Sequence, residues 1–166
     1  MMKKAEMAGK YLELNDLVKV IDKAKKSGKK IALANGGFDI LHIGHIRYLK
    51  AAGEVADILV VAINSDRSLR ALKGEHRAEI NERGRAKIIG SLSFVDYVTV
   101  FDERRVDNVI LALKPDFHCK GTDYTEETVP EKDVVRSYGG RIAIVGGSKI
   151  RSTSDIIRDI MLKKGD

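Results

Sequence analysis

The sequence predicts an α/β chain: a Rossmann-like, doubly wound parallel sheet of five strands in a single domain. Three observations predict it. Short apolar runs alternate with amphipathic stretches along the chain. The run Asp57–Ile63 (DILVVAI) is apolar almost throughout, which suits a parallel strand covered on both faces. A length of 166 residues builds one core and leaves no room for a second full-sized domain.

The elements follow in order. Residues 1–12 read as a flexible polar tail, and 13–166 as the folded domain. Asn15 is placed to N-cap a helix through Lys26, with Leu17, Val18 and Ile21 on one face and Gly28 past its end. Ile31–Ala34 reads as the first strand, and a helix runs from His42 or Ile43 to Glu54. Asp57–Ile63 is the second strand, and a short segment after it ends in Lys73-Gly74. Asn81–Leu92 is predicted helical, Tyr97–Phe101 strand, Arg105–Leu113 helix and Asp116–Lys120 strand. Glu131–Tyr138 is a helix stopped by Gly139-Gly140, Arg141–Val145 the fifth strand, and Ser152–Leu162 the closing helix. In such sheets ligands sit beyond the carboxyl ends of the strands, so the residues after each strand carry the functional reading.

Composition excludes several classes. One cysteine, Cys119, rules out an intrachain disulfide scaffold. No apolar run approaches the roughly 20 residues of a membrane helix, and the lysine-rich start lacks an apolar signal core. The expectation is a soluble, cytoplasmic protein. Of the net charge of +6, residues 1–30 hold nine lysines against four acids, so the body is nearly neutral. The nine Tyr and Phe side chains do not alternate with Lys or Arg, so the lysines read as a solvated helix face and no nucleic-acid or membrane partner is expected.

After the first strand comes Asn35-Gly36-Gly37-Phe38-Asp39-Ile40-Leu41-His42-Ile43-Gly44-His45. Two glycines let the backbone come close to a ligand. His42 and His45 sit three apart at a helix start and share one face, with Gly44 leaving space between them. Imidazoles and free amides at a helix N-terminus make an anion site. Near the other end, Ser152, Thr153 and Ser154 open the last helix, where hydroxyls and first-turn amides can meet phosphate oxygens.

These residues carry a resemblance. His42-Ile43-Gly44-His45 after a strand ending in Asn-Gly-Gly-Phe-Asp resembles the HxGH signature of the cytidylyltransferase-like nucleotidyltransferases, and Arg151-Ser152-Thr153-Ser154-Asp155-Ile156-Ile157 resembles that family's second motif. Lys120-Gly121-Thr122-Asp123-Tyr124 is similar to the KGxDY segment of heptose 1-phosphate adenylyltransferases, and NSDRSLRALKG and VPEKDVVRSYGG are similar too. The resemblance covers about residues 12–160. Gly37 departs from it, standing where many relatives carry Cys, and residues 74–81 and 102–108 lack the prolines common there.

The resemblance implies transfer of AMP from ATP, carried with Mg²⁺ or another divalent cation, to a sugar 1-phosphate such as D-glycero-β-D-manno-heptose 1-phosphate, with release of pyrophosphate. The alternative within the family is a glycerol-3-phosphate cytidylyltransferase or an FAD synthase-type enzyme. It implies catalytic roles for His42, His45 and Lys73, the lysine reaching the triphosphate from a mobile loop. It places Asn35, Gly36, Gly37, Phe38, Asp39, Gly44, Arg83, Ser152, Thr153 and Ser154 against the nucleotide and its phosphates. Within that set Asp39 would orient a histidine or help seat Mg²⁺, which is otherwise held through the triphosphate without protein ligands of its own. Asn64, Asp66, Lys120, Gly121, Asp123 and Tyr124 are assigned to the nucleoside or the sugar. Relatives often pair, so a homodimer is expected as well. A zinc site from His42, His45, His118 and Cys119 is disfavoured, since adjacent strand residues point to opposite faces.

Overall fold

The computed structural model describes residues 9–148 and 152–163. Its elements are α1 (Leu14–Lys26), β1 (Ile31–Gly36), α2 (Ile43–Gly53), β2 (Ile58–Asn64), α3 (Asp66–Lys73), α4 (Glu82–Gly90), β3 (Tyr97–Phe101), α5 (Asp107–Leu113), β4 (Phe117–Lys120), α6 (Lys132–Ser137), β5 (Arg141–Ile144) and α7 (Thr153–Lys163). The five strands pair in parallel in the order β3-β2-β1-β4-β5. This is the doubly wound sheet that the alternation predicts.

The two faces of the sheet divide the core. On β2, Leu59, Val61 and Ile63 join Leu49 and Ala52 of α2 and Ile89 of α4. Val60 and Ala62 turn the other way, toward Leu17 and Ile21 of α1, Ile110 and Leu113 of α5, and Val135 of α6. A period of two on a strand buried on both faces explains why DILVVAI has no polar interior position.

Several boundaries move for local reasons. The first helix starts at Leu14 with Glu13 at the N-cap position, so Asn15 lies inside it. Leu14 packs on the core, which draws the first turn two residues forward. β1 runs on to Gly36, because Asn35 and Gly36 pair with Ala62 and Ile63. The segment after β2 forms a helix, α3, whose N-cap Ser65 accepts the Ser68 N–H at 3.1 Å. The helix expected from Arg105 begins at Asp107, since the Arg105 guanidinium turns outward to the Asp107 carboxylate and the Pro130 carbonyl. At the front, Tyr11 bridges in parallel to Val98, and Lys10 O and Leu12 N bond the Val98 backbone. The end of the expected tail thus covers edge strand β3, while residues 1–8 lie outside the described set. Among the described residues, no helix is long and apolar enough to cross a membrane.

Candidate active site

The connectivity reverses between the central strands: β2 and β3 lie on one side of β1, β4 and β5 on the other. A cleft of about 350 Å³ lies at this reversal, lined by residues that follow β1, β4 and β5. Its floor is the turn after β1. A Cβ at Gly37 would meet Leu69 Cδ1 at 2.7 Å, so this turn lies directly against α3. Phe38 takes a left-handed backbone (φ 49°), is buried, and sets its ring edge-on to His45 with centroids 5.1 Å apart.

The two histidines open α2. His42 holds the N-cap position, and its Nδ1 accepts the Gly44 N–H at 3.1 Å. His45 Nδ1 faces the His42 N–H at 3.4 Å, a longer contact, and the rings stack with centroids 3.8 Å apart. Since each Nδ1 accepts, each neutral ring carries its proton on Nε2. Burial, helped by the neighbouring His42, pushes His45 down to about 4. At neutral pH it is an uncharged N–H donor at the cleft.

Other expected residues reach the same cleft: Gly37, Phe38, Asp39, Gly44, Lys73, Gly121, Asp123, Ser152, Thr153 and Ser154 all line it. Lys73 stands in the last turn of α3, not in a loop; Gly74 follows as the C-cap. Asp39 is buried, and its carboxylate accepts the backbone N–H of Ala78 (3.1 Å) and of Ile80 (3.3 Å). It anchors the 74–80 loop, and among the described residues no hydrogen bond joins it to a histidine. The hydroxyls at α7 have protein partners. Ser152 Oγ donates to Asp155 Oδ2 at 2.7 Å, Thr153 Oγ1 lies 3.5 Å from the Ile40 carbonyl, and Ser154 Oγ accepts from Arg77 at 2.9 Å.

Seven expected residues lie outside the cleft lining: Asn35, Gly36, Asn64, Asp66, Arg83, Lys120 and Tyr124. Asn35 and Gly36 are still strand, one step short of the turn. Asn64 Nδ2 donates to Ser68 Oγ at 2.9 Å, and Asp66 accepts from Arg85 at 2.7 Å. Both therefore fix the start of α3. Arg83 is exposed. Lys120 is buried, donating to Asn35 Oδ1 at 3.2 Å and lying 3.4 Å from Glu131 Oε2, with the Tyr124 ring 5.2 Å away.

Sequence reasoning missed Arg85. This fully buried side chain donates to the carbonyls of Ile80, Gly37 and Asn64 and to the Asp66 carboxylate. It ties the turn after β1 to the turn after β2. Its signal is helical phase: Glu82, Arg85, Ala86 and Ile89 share one face of α4, and Arg83 points elsewhere. Arg77, Arg47 and Tyr48 were missed too, as were Thr122 and the segment Val145–Ser148, all of them lining the cleft. Tyr48 Oη donates to the Cys119 carbonyl at 2.7 Å. At Gly146 (φ 100°) a Cβ would meet Tyr48 Cα at 3.1 Å, so only glycine lets this segment pass so close to α2.

The comparisons with known proteins agree with this geometry. The cytidylyltransferase-like family model matches residues 33–159. The chain belongs to the cytidylyltransferase-like family. It is 46% identical over 157 residues to the bifunctional protein HldE of Geobacter metallireducens, covering 95% of this chain and 32% of that protein. To the HldE of Geobacter sulfurreducens it is 43% identical, again across 95% of this chain and 32% of the relative. The chain thus spans about a third of the length of these curated relatives. Among solved structures, the lipopolysaccharide core biosynthesis protein of Thermoplasma volcanium superposes with a TM-score of 0.61 at 30% identity, over 75% of this chain and all of that one. A pantoate-beta-alanine ligase from Francisella tularensis shares the fold, with a TM-score of 0.60 at 14% identity over 93% of this chain and 77% of that one.

The cleft lies wholly within the matched residues. It offers N–H donors at His42 and His45, cations at Arg47, Lys73 and Arg77, and glycine-rich turns. Cys119 is fully buried, and burial pushes its thiol up to about 12, so it is no nucleophile. Among the described residues no group of three or more His, Cys, Asp or Glu is placed to hold a metal ion.

Proposed function

We propose that this chain transfers AMP from ATP to a sugar 1-phosphate, D-glycero-β-D-manno-heptose 1-phosphate in the first instance, giving the ADP-sugar and pyrophosphate. The carrying observation is that the imidazoles of the first motif and the hydroxyls of the last helix, more than a hundred residues apart in sequence, line one cleft. The KGxDY segment and the identity to HldE support the heptose over other acceptors.

The acceptor phosphate is already ionised near neutral pH, so its oxygen attacks the α-phosphorus without a general base. That P–O bond forms as the bond to pyrophosphate breaks. Catalysis is alignment and charge stabilisation. His42 and neutral His45 donate Nε2–H toward the α-phosphoryl oxygens, and Lys73 offsets charge on the leaving pyrophosphate. A divalent cation such as Mg²⁺, when bound with the nucleotide, neutralises triphosphate oxygens. Asp39 is committed to the 74–80 loop, so a cation bound with the nucleotide would take its ligands from phosphate and water. Gly121 and Asp123 are left to meet the nucleoside or the sugar.

The test is pyrophosphate release from four NTPs against a panel of acceptor phosphates, with product mass as the readout. ATP with heptose 1-phosphate is expected to lead; turnover with CTP and glycerol 3-phosphate instead would overturn the substrate assignment. His42→Ala and His45→Ala should each lower kcat by about 100-fold or more, with the melting transition kept. Lys73→Ala should raise the KM for the nucleotide several-fold. If both histidine variants keep wild-type rates, the cleft is not where the reaction occurs.

A further inference from the structure

The loop after α3 holds a cation that the reaction outlined above does not use. Arg77 lines the cleft and is half-buried. Its Nη2 donates to Ser154 Oγ at 2.9 Å, its one partner among the described residues. This bond joins the 74–80 loop to the first turn of α7 across 77 positions of sequence. The loop is not free to wander. Asp39, in the turn that carries the histidines, takes the backbone N–H groups on either side of Glu79, at Ala78 and Ile80. Ala78 itself is buried with a left-handed backbone (φ 65°), an arrangement held only by its surroundings. Arg85 closes the far end by donating to the Ile80 carbonyl at 2.9 Å. A rigid mount therefore presents a guanidinium into the cleft, beside Lys73 and facing the hydroxyls of α7.

Such a mount is excessive for one exposed serine hydroxyl. A guanidinium offers five N–H donors in a fixed fork matched to phosphoryl oxygens, and a neutral hydroxyl uses one of them. We infer that Arg77 is a polyphosphate-binding residue. Its guanidinium rests on Ser154 in the empty cleft and exchanges that hydroxyl for oxygens of the triphosphate chain when a nucleotide enters. The exchange replaces a neutral hydrogen bond by charge-assisted, forked ones, so it runs toward the bound state. It also removes the link between the loop and α7 as the phosphates arrive, coupling nucleotide entry to the position of the last helix. This inference rests on the nucleotidyltransferase reading of the cleft and adds to it a second cation on the phosphate side.

The experiment measures binding without turnover, so that it does not depend on the acceptor. Wild type, Arg77→Met and Arg77→Lys are titrated with three probes: a non-hydrolysable ATP analogue, inorganic tripolyphosphate, and AMP, each with Mg²⁺. Arg77→Met should weaken the analogue and tripolyphosphate by tenfold or more and leave AMP within twofold. Arg77→Lys should recover part of the loss, since it restores charge without the fork. An equal loss for AMP would mean that the loop has collapsed, and unchanged tripolyphosphate binding would mean that Arg77 only braces Ser154; either result overturns the inference. Should wild type bind tripolyphosphate as tightly as the ATP analogue, the ATP assignment fails while the Arg77 comparison on tripolyphosphate still gives its answer.

Discussion

His45 shows how one position serves both stability and chemistry. Its ring is pressed against Phe38 and stacked on His42, and burial holds its proton affinity far below the ordinary histidine value near 6.5. The unfolded chain binds that proton between about 6.5 and about 4 while the folded protein does not. Stability from this group is therefore present above pH 6.5 and lost as pH falls through the window, by at most about 3 kcal/mol. Other buried groups add to the same acid limb, so the variant is the measurement. His45→Gln should show a smaller fall in melting temperature from pH 7 to pH 4.5 than wild type, and equal falls would refute the assignment. The two histidines were legible in the sequence because their signal is local: a strand end, two glycines and a spacing of three. The arginine at the site was not, because Arg83 and Arg85 differ only in helical phase, and that phase depends on where α4 starts. Lys120 and Tyr124 fall outside the cleft lining for a related reason. A motif marks a segment, and the backbone decides which of its residues reach the cleft; here Gly121 and Asp123 line it, while Lys120 turns beneath Tyr124.

Between residues and the whole stand the turns and short helices that hold the cleft open. The apolar runs that become β1 to β5 were readable because both faces of a parallel sheet are covered. α3 was not, since of its eight residues only Ser68 and Leu69 are buried, and Leu72 is exposed. Its cap at Ser65 is the signal that was overlooked. Arg85 is where these turns are fastened together: one side chain meets the ends of β1 and β2, the start of α3 and the end of the 74–80 loop. Arg85→Met keeps much of the volume and strips the charge from Asp66 and the donors from three carbonyls. Asp66 is partly exposed, so the cost falls on the carbonyls that lose their donor, about 1–3 kcal/mol for each one left unsatisfied, and urea unfolding should show a loss in or above that range. Nucleotide affinity should fall with it, because Gly37 and the Asp39-anchored loop lose a common support. A variant as stable as wild type would show that the turns hold without this hub.

At the scale of the molecule, the order β3-β2-β1-β4-β5 is the property that no local pattern announced. Alternation of strands and helices predicts a doubly wound sheet, and the strand order follows only from how the crossovers pack. The order makes β1 and β4 the seam between two halves, and the cleft opens on that seam. A buried polar cluster lies along it. Lys120 bridges Asn35 of β1 and Glu131 at the start of α6, and His118 Nε2 stands 3.5 Å from the same carboxylate. Burial alone would raise Glu131, but His118 and the Lys120 ammonium hold it down to about 2. Burial lowers both His118 and Lys120. The Lys120–Glu131 pair is thus a charge contact on which the seam's alignment depends. Lys120→Met should cost about 3–5 kcal/mol, since it strands a buried carboxylate. Glu131 makes no side-chain cap on α6, so with Lys120 gone its removal forfeits only the 3.5 Å contact to His118. The double variant Lys120→Met/Glu131→Leu should therefore recover at least half of the loss, a coupling of about 2 kcal/mol in a double-mutant cycle. Additive losses would mean that the two halves are joined by the apolar faces of the sheet alone, and that the cluster beneath Tyr124 has no part in aligning the two sides of the cleft.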